Sequence, residues 1–383
     1  MDILFDFFGQ NGLFLQSFII KALGFIFVLT IVVFFHELGH FLVARWCGVD
    51  VEAFSIGFGH EIVGFYDHKG TRWKLCWIPL GGYVKFIDDK NAASVPDHKD
   101  PDEAKAEFGE GAFQAKSVGQ RSAIVAAGPI ASFLLGIVIF TGIFSVYGYK
   151  YVKPIVGEVI PNSAAAEAGF KEKDLIISIN GNNIESFADV RTIVQLSFNE
   201  PLNFAINRNG EVIALISTPR ESETRDLLGN KQKLLGIKSS AEEGTFVSKE
   251  VGIFEATGLA LDRTYQVIST SLEFLSRLFI GQASVNQLSG PIGIADASGK
   301  MAELGIVPLI QWIAFLSIAI GFFNLFPIPL LDGGHLLFYA VEAVMGKPLS
   351  ESVQDVGFRI GMAILLSLMV FVTIIDVSRF FES

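Results

Sequence analysis

Residues 17–45 read SFIIKALGFIFVLTIVVFFHELGHFLVAR. A bilayer core takes about 20 apolar residues as a helix, and up to Phe35 this stretch carries no charge besides Lys21. At its distal end stand His36-Glu37-Leu38-Gly39-His40. On a helix, residues i and i+4 share a face. The two imidazoles can therefore hold one metal ion, with Glu37 in reach of a water beside it. The five-residue pattern recurs by chance in soluble helices, so its setting matters more. Ionisable side chains at the end of an apolar span are costly and functional by default. The bland reading is an interfacial polar cluster that holds no metal.

Three further segments can cross a bilayer. Residues 122–149 and 304–331 are uncharged throughout, and 360–375 is a shorter uncharged run between Arg359 and Asp376. The first two exceed the length a span needs, which implies tilt, interfacial extension or a broken helix. Composition agrees: the 383 residues are 51% hydrophobic and 18% charged, against about 25% charged in soluble domains. A net charge of −11 argues against nucleic-acid binding, which wants a basic face. Cys47 and Cys76 are too few for a disulfide framework or a four-cysteine zinc site. Met1 to Phe8 holds two aspartates and no basic residue, unlike a cleavable signal peptide. Lysines and arginines crowd the stretch from Arg45 to Arg121, and Lys347 and Arg359 flank the connection between the last two spans. By the positive-inside rule these connections are cytoplasmic, with both termini and residues 150–303 outside.

Between the spans, residues 50–86 read as strands: 54–59, 62–66, 73–79 and 81–86 are aromatic and β-branched runs punctuated by Gly and Pro. They form either an amphiphilic sheet lying on the membrane or a hairpin that dips toward the spans and offers an edge to a peptide. Residues 88–112 are acidic and read as a solvated loop. Residues 152–219 read as an α/β module, with strands at 156–160 and 174–180. A Ser186/Asp189 capping box opens a helix to about Leu196, and Asn209-Gly210 joins two strands as a hairpin. The stretch from Gly157 to Asn182 resembles a bacterial PDZ domain, a fold that binds peptide ends by strand addition. Residues 220–250 read as a polar linker. Residues 251–280 read as an amphipathic helix, interfacial or packed on the module.

Catalytic zinc needs a third protein ligand and an open position. The other polar group in an apolar setting is Asn324-Leu-Phe-Pro327-Ile-Pro329-Leu-Leu-Asp332-Gly-Gly-His335, where prolines and glycines break a membrane helix. Broken helices at membrane depth line binding sites. Asp332 is the candidate third ligand, 332 − 40 = 292 residues beyond His40. His335 competes for that role, and the bland alternative has Asp332 only capping a helix that begins at Gly333.

Together, HELGH in the first span, NLFPIPLLDGGH in a late one and a single PDZ-like insert resemble the site-2 protease family of intramembrane zinc metalloproteases, in its bacterial regulator-of-sigma-E branch. Residues 54–59 and 79–85 resemble that branch's membrane-associated β-hairpin, and Ala126 to Phe133 its second-span motif. The resemblance implies Zn2+ on His36, His40 and Asp332, catalysis by Glu37, and Asn324 holding substrate or oxyanion. Substrate contacts are expected at Gly57, Gly59, Gly82, Tyr83, Pro327 and Pro329. Two departures stand out: Ser132 replaces the family's usual asparagine, and there is one PDZ-like module where some members have two.

The expected fold is a polytopic α-helical membrane protein with four transmembrane helices, a membrane-associated β-hairpin and an inserted α/β PDZ-like domain. Its segments are 1–45 (first span), 46–118 (hairpin and acidic cytoplasmic loop), 119–149 (second span), 150–222 (PDZ-like domain), 223–303 (linker and amphipathic helix), 304–345 (third transmembrane segment) and 355–381 (fourth span). The expected activity is cleavage of single-span membrane proteins, such as anti-sigma factors or remnant signal peptides, in the bacterial inner membrane. The active site then lies toward the cytoplasm and the PDZ-like domain in the periplasm, where a peptide ligand can reach it. The rival is a metal-free scaffold that binds partners through that domain and has no need of Glu37. A transporter would show symmetry between halves, and the sequence has none.

Overall fold

Gly48, at φ +73°, ends helix α1 (Asp2–Trp46), the element that carries HELGH. The computed structural model describes residues 2–89, 101–197, 200–225, 231–240, 245–283 and 285–382. Strands β1 (Val51–Tyr66) and β2 (Arg72–Phe86) follow and pair antiparallel. The four short strands expected here are two long, bent ones. Gly57, Gly59 and Gly81 adopt φ of +84°, +88° and +113°, so these positions shift register within a strand instead of ending it. At the turn, the Asp67 carboxylate accepts from the Lys69 and Thr71 N–H groups, Trp73 Nε1 and Arg45 Nη2. This ties the hairpin to the end of α1. Phe54 stacks on Trp73 at 4.4 Å and meets Phe34 and Phe41 of α1 edge-on. Ile62, Val63, Phe65, Trp77 and Ile78 stay exposed, an apolar surface suited to lipid.

The acidic stretch is not wholly a loop: it holds helix α2 (Pro101–Phe108) and a 3-10 turn over Gly109–Gly111. Residues 90–100 of that expected loop lie outside the described residues. Asp88 accepts from the Phe113 and Gln114 N–H groups, which fixes the approach to helix α3 (Val118–Tyr147).

Next come β3 (Tyr149–Val152), β4 (Val156–Val159), α4 (Ala164–Ala168), β5 (Leu175–Ile179), β6 (Asn182–Asn183), α5 (Phe187–Leu196), β7 (Leu202–Arg208) and β8 (Glu211–Ser217). The Ser186/Asp189 capping box and the Asn209-Gly210 turn are present. β6, β5, β7 and β8 form one sheet in that order. The expected linker is a correction: residues 220–250 hold β9 (Arg220–Arg225), β10 (Lys231–Leu234), β11 (Ile237–Ser239) and β12 (Phe246–Lys249). β11 pairs with β4 and β12 with β3, so the module closes well beyond residue 222. The physical reason is Leu235, which joins Val156, Ile176 and Phe204 in the module's core.

Helix α6 (Ile253–Phe279) is the expected amphipathic helix. Helix α7 (Pro291–Leu304) was not expected, because Asp296, Lys300 and Glu303 interrupt its apolar pattern. Then come α8 (Ile306–Asn324), α9 (Asp332–Met345) and α10 (Glu351–Glu382). The long 304–331 run is thus one helix followed by an irregular break. Contacts divide the chain into two units. One comprises Met1–Phe140, Arg263–Ile268 and Gly290–Ser378, the other Thr141–Asp262, Ser269–Ser289 and Arg379–Ser383. In the first, α7 lies close along α1: a Cβ on Gly299 would sit 2.2 Å from Lys21 Cγ, and Lys21 pairs with Asp296 at 2.6 Å. Asp376 of α10 accepts from the Gly290 and Gly293 N–H groups at the start of α7.

Among the described residues, four helices are long and apolar enough to cross a membrane: α1 over Ile19–Trp46, α3, α8, and α10 over Glu351–Arg379.

Candidate metal centre

The last turns of α1 present His36, Glu37 and His40 toward α3 and the start of α9. Small residues let the helices meet. A Cβ on Gly39 would lie 2.3 Å from the Ala127 carbonyl oxygen, and one on Gly128 would lie 2.9 Å from His36 Nε2. α3 then orients both rings. His40 Nδ1 donates to the Ile124 carbonyl at 2.9 Å, and His36 Nδ1 shares a 3.0 Å hydrogen bond with Ser132 Oγ. The Nδ1 proton of His40 leaves its Nε2 lone pair free to bind.

The two Nε2 atoms face each other at 3.3 Å. Asp332 completes the group, with Oδ2 3.2 Å from His36 Nε2 and Oδ1 3.5 Å from His40 Nε2. One donor atom from each of the three lies within 4.8 Å of the others. Asp332 Oδ2 is buried, yet among the described residues it accepts no hydrogen bond. Buried polar atoms are nearly always paired. A carboxylate oxygen without a donor, beside two converging imidazole nitrogens, fits a divalent cation, and His2Asp with an open position is a catalytic zinc donor set.

Asp332 is the first residue of α9. The cap is Leu331, and no side chain caps this helix end, so the capping alternative does not describe Asp332. Leu330, two residues earlier, is held at φ +87°. A bulky side chain in the left-handed region costs about 1–3 kcal/mol, and such strain clusters at functional sites.

A cavity of about 330 Å³ surrounds the cluster. The hairpin lines it with Phe58, Gly82, Tyr83, Val84 and Phe86, and α3 with Ile124 and Val125. Glu37, Asn324, Leu330, His335, Tyr339, Asp89 and Phe113 complete the wall. Gly82 lets β2 pass against Glu37, since a Cβ there would lie 3.2 Å from Glu37 Cγ. Asn324 Nδ2 donates to the Ile320 carbonyl. His335 lines the cavity outside the ligand cluster, its ring 5.4 Å from that of Phe358. Gly57, Gly59, Pro327 and Pro329 are not in the wall. Gly57 instead permits the approach of Ile78, and Pro329 packs against Gly361 of α10. Burial pushes the Asp89 carboxyl up to about 7, with the neighbouring Asp88 charge adding to the rise, although the Phe86 N–H bond opposes it.

Sequence reasoning missed the ring-orienting Ser132 and the bare backbone at Gly128. Ser132 stood out only as a departure from a motif, and its hydroxyl shares a hydrogen bond with His36 Nδ1.

A metal cluster of this type on helices fit to span a bilayer defines a class, the membrane metalloproteases that work with zinc. The chain belongs to peptidase family M50, whose profile matches residues 24–368. Among its relatives, a protein of Rhizobium meliloti (strain 1021) is 45% identical over 93% of this chain and 96% of its own. One of Brucella suis biovar 1 (strain 1330) is 45% identical over 97% of each chain. Both carry provisional names as zinc metalloproteases. Metalloprotease MmpA of Caulobacter vibrioides is 40% identical over 95% of this chain and 97% of its own. The protein is a multi-pass membrane metalloprotease.

Proposed function

We propose that the protein cleaves peptide bonds inside the transmembrane segments of single-span proteins of the bacterial inner membrane, with anti-sigma factors and remnant signal peptides as the substrate types. The observation that carries this reading is the origin of the cluster. His36 and His40 come from a helix apolar enough to cross a bilayer, and Asp332 from the start of the helix that follows the break after another. His36, His40 and Asp332 would hold Zn2+. Zinc bound there supplies Lewis acidity, lowering the pKa of water to about 7 and polarising a carbonyl.

Glu37 takes the proton of the attacking water and returns it to the leaving amine. Asn324 reaches the carbonyl oxygen with the amide hydrogen that Ile320 does not use. A membrane helix hides its scissile bond in its own hydrogen bonds, so the substrate unwinds before it is cut. The β2 edge at Gly82 and Tyr83, in the cavity wall beside Glu37, accepts the unwound strand. The active site lies toward the cytoplasm. The PDZ-like module, expected over 150–222 and extended by β11 and β12, lies in the periplasm and excludes proteins with bulky outer domains.

The test pairs purified Glu37→Gln with a single-span substrate and a metal assay. The variant keeps its zinc, because Glu37 is a base and not a ligand, and loses cleavage. Cleavage within a few-fold of the unmodified enzyme would overturn the reading.

A further inference from the structure

Arg121 near the start of α3 and Glu342 near the end of α9 form an ion pair at 2.6 Å, with side chains only 5% and 9% exposed. Neither is a sequence neighbour of a ligand. Each nonetheless belongs to a helix that builds the cluster. Arg121 precedes Ile124 by one turn, and Ile124 and Ser132 of the same helix orient the two imidazoles. Glu342 follows Asp332 by ten residues, about 15 Å along α9.

We infer that the Arg121–Glu342 pair is a positioning clasp that holds Asp332 in register with His36 and His40, so that metal affinity depends on two residues remote from the metal. The inference rests on the ligand set proposed above.

Two observations make α9 dependent on such a clasp. The chain reaches it through an irregular stretch with Leu330 held in the left-handed region. At the start of the helix, Asp332 Oδ2 has no hydrogen-bond partner among the described residues. A strained residue before the helix and an unpaired carboxylate oxygen at its start both need a hold from the surrounding structure, and the contact at Glu342 adds one from α3. The other half of the contact is well anchored. Arg121 Nε donates to the Lys116 carbonyl, Nη1 to Gln114 Oε1, and the guanidinium covers the face of Tyr339 at 4.9 Å. Gln114 is held in turn through its backbone by Asp88. A slide of α9 by one turn would move Asp332 by about 5.4 Å, and a single angstrom already matters to a metal ligand. Buried ion pairs are a weak source of stability, and fixing register is their best-attested use.

The test uses the full-length protein in detergent and measures zinc affinity by competition with a chromophoric chelator. Thermal stability is measured separately on the metal-free form in EDTA. The double variant Arg121→Met/Glu342→Leu removes both charges at similar volume and leaves no orphan charge. The expected result is zinc binding weaker by about 10- to 100-fold, near-native stability of the metal-free form, and cleavage restored by excess zinc. The exchange Arg121→Glu/Glu342→Arg regains part of the affinity. Where the double variant does not fold, Glu342→Gln is measured instead, with the same loss of affinity expected. Zinc affinity equal to that of the unmodified protein overturns the clasp. Asp332→Ala in parallel tells this from a wrong ligand set: zinc lost there but undiminished in the double variant refutes the clasp alone, whereas zinc retained in Asp332→Ala refutes the ligand set and the clasp with it.

Discussion

A methyl group on Gly128 would lie 2.2 Å from Nε2 of His40. At this position of α3, backbone with no side chain faces the two Nε2 atoms. Inside a helix, Gly→Ala ordinarily gains about 1 kcal/mol. Gly128→Ala is expected to do the opposite for function: a folded protein that binds little zinc and cleaves nothing, although no ligand has changed. Metal analysis beside a thermal melt checks it, and a full zinc complement in the variant would refute the steric argument.

Ser132→Ala removes the only side-chain partner given to His36 Nδ1 among the described residues. The ring is then free to turn. Zinc affinity should fall about tenfold while the helices stay packed, because the change removes one oxygen. Chelator competition is the measurement, and an unchanged affinity would show that the hydroxyl orients nothing.

Asp332→Ala should lose both zinc and activity, and His335→Ala should keep most of its zinc. His335 lines the same cavity but lies outside the ligand cluster. The reverse pattern in a metal assay would exchange the two assignments.

Much of this site was legible before any coordinates, for a physical reason. In an apolar span, His36, Glu37 and His40 stand out because lipid tolerates them badly, and Asp332 stands out because prolines and glycines surround it. The strands of the module that follows α3 announced themselves through turn chemistry at Asn180-Gly181 and Asn209-Gly210. What stayed hidden depends on partners distant in sequence. β11 is three residues long and acquires meaning only beside β4. α7 looks polar until its small face meets α1. Ser132, Gly128 and Arg121 are ordinary residues in the chain and matter only once α3 lies against the imidazoles and α9.

Asp89 gives a pH signature. Its carboxyl titrates near 7 in the folded protein, against about 3.9 in an unfolded chain. The folded state therefore holds the proton more tightly. The contribution of Asp89 to stability is greatest below about pH 4 and declines as pH rises toward 7. Asp89→Asn cannot ionise and keeps an acceptor for the Phe86 N–H. It should match the parent near pH 4 and exceed its stability at pH 8 by on the order of 1–3 kcal/mol. Denaturant titration in mild detergent at the two pH values decides it, and an equal gap at both would show that burial of Asp89 is not the cause.

Removal of the module should respect its pairing. β3 pairs with β12, so residues 153–245 can be replaced by a short Gly/Ser linker while that ladder stays closed. Cleavage of a substrate with a trimmed outer domain should persist, and the untrimmed form should become cleavable. Loss of cleavage of the trimmed form, in a variant that still binds zinc, would make the module a docking site and not a filter.

The separation of His40 and Asp332 by 292 positions also has a meaning in time. A ribosome adds about 5–20 residues per second, so roughly 15–60 s separate the synthesis of the two groups. Throughout that interval the nascent chain already holds HELGH but not the carboxylate that completes the proposed cluster. With the ligand set proposed above, a product that stops short of Asp332 is expected to be unable to assemble the metal site.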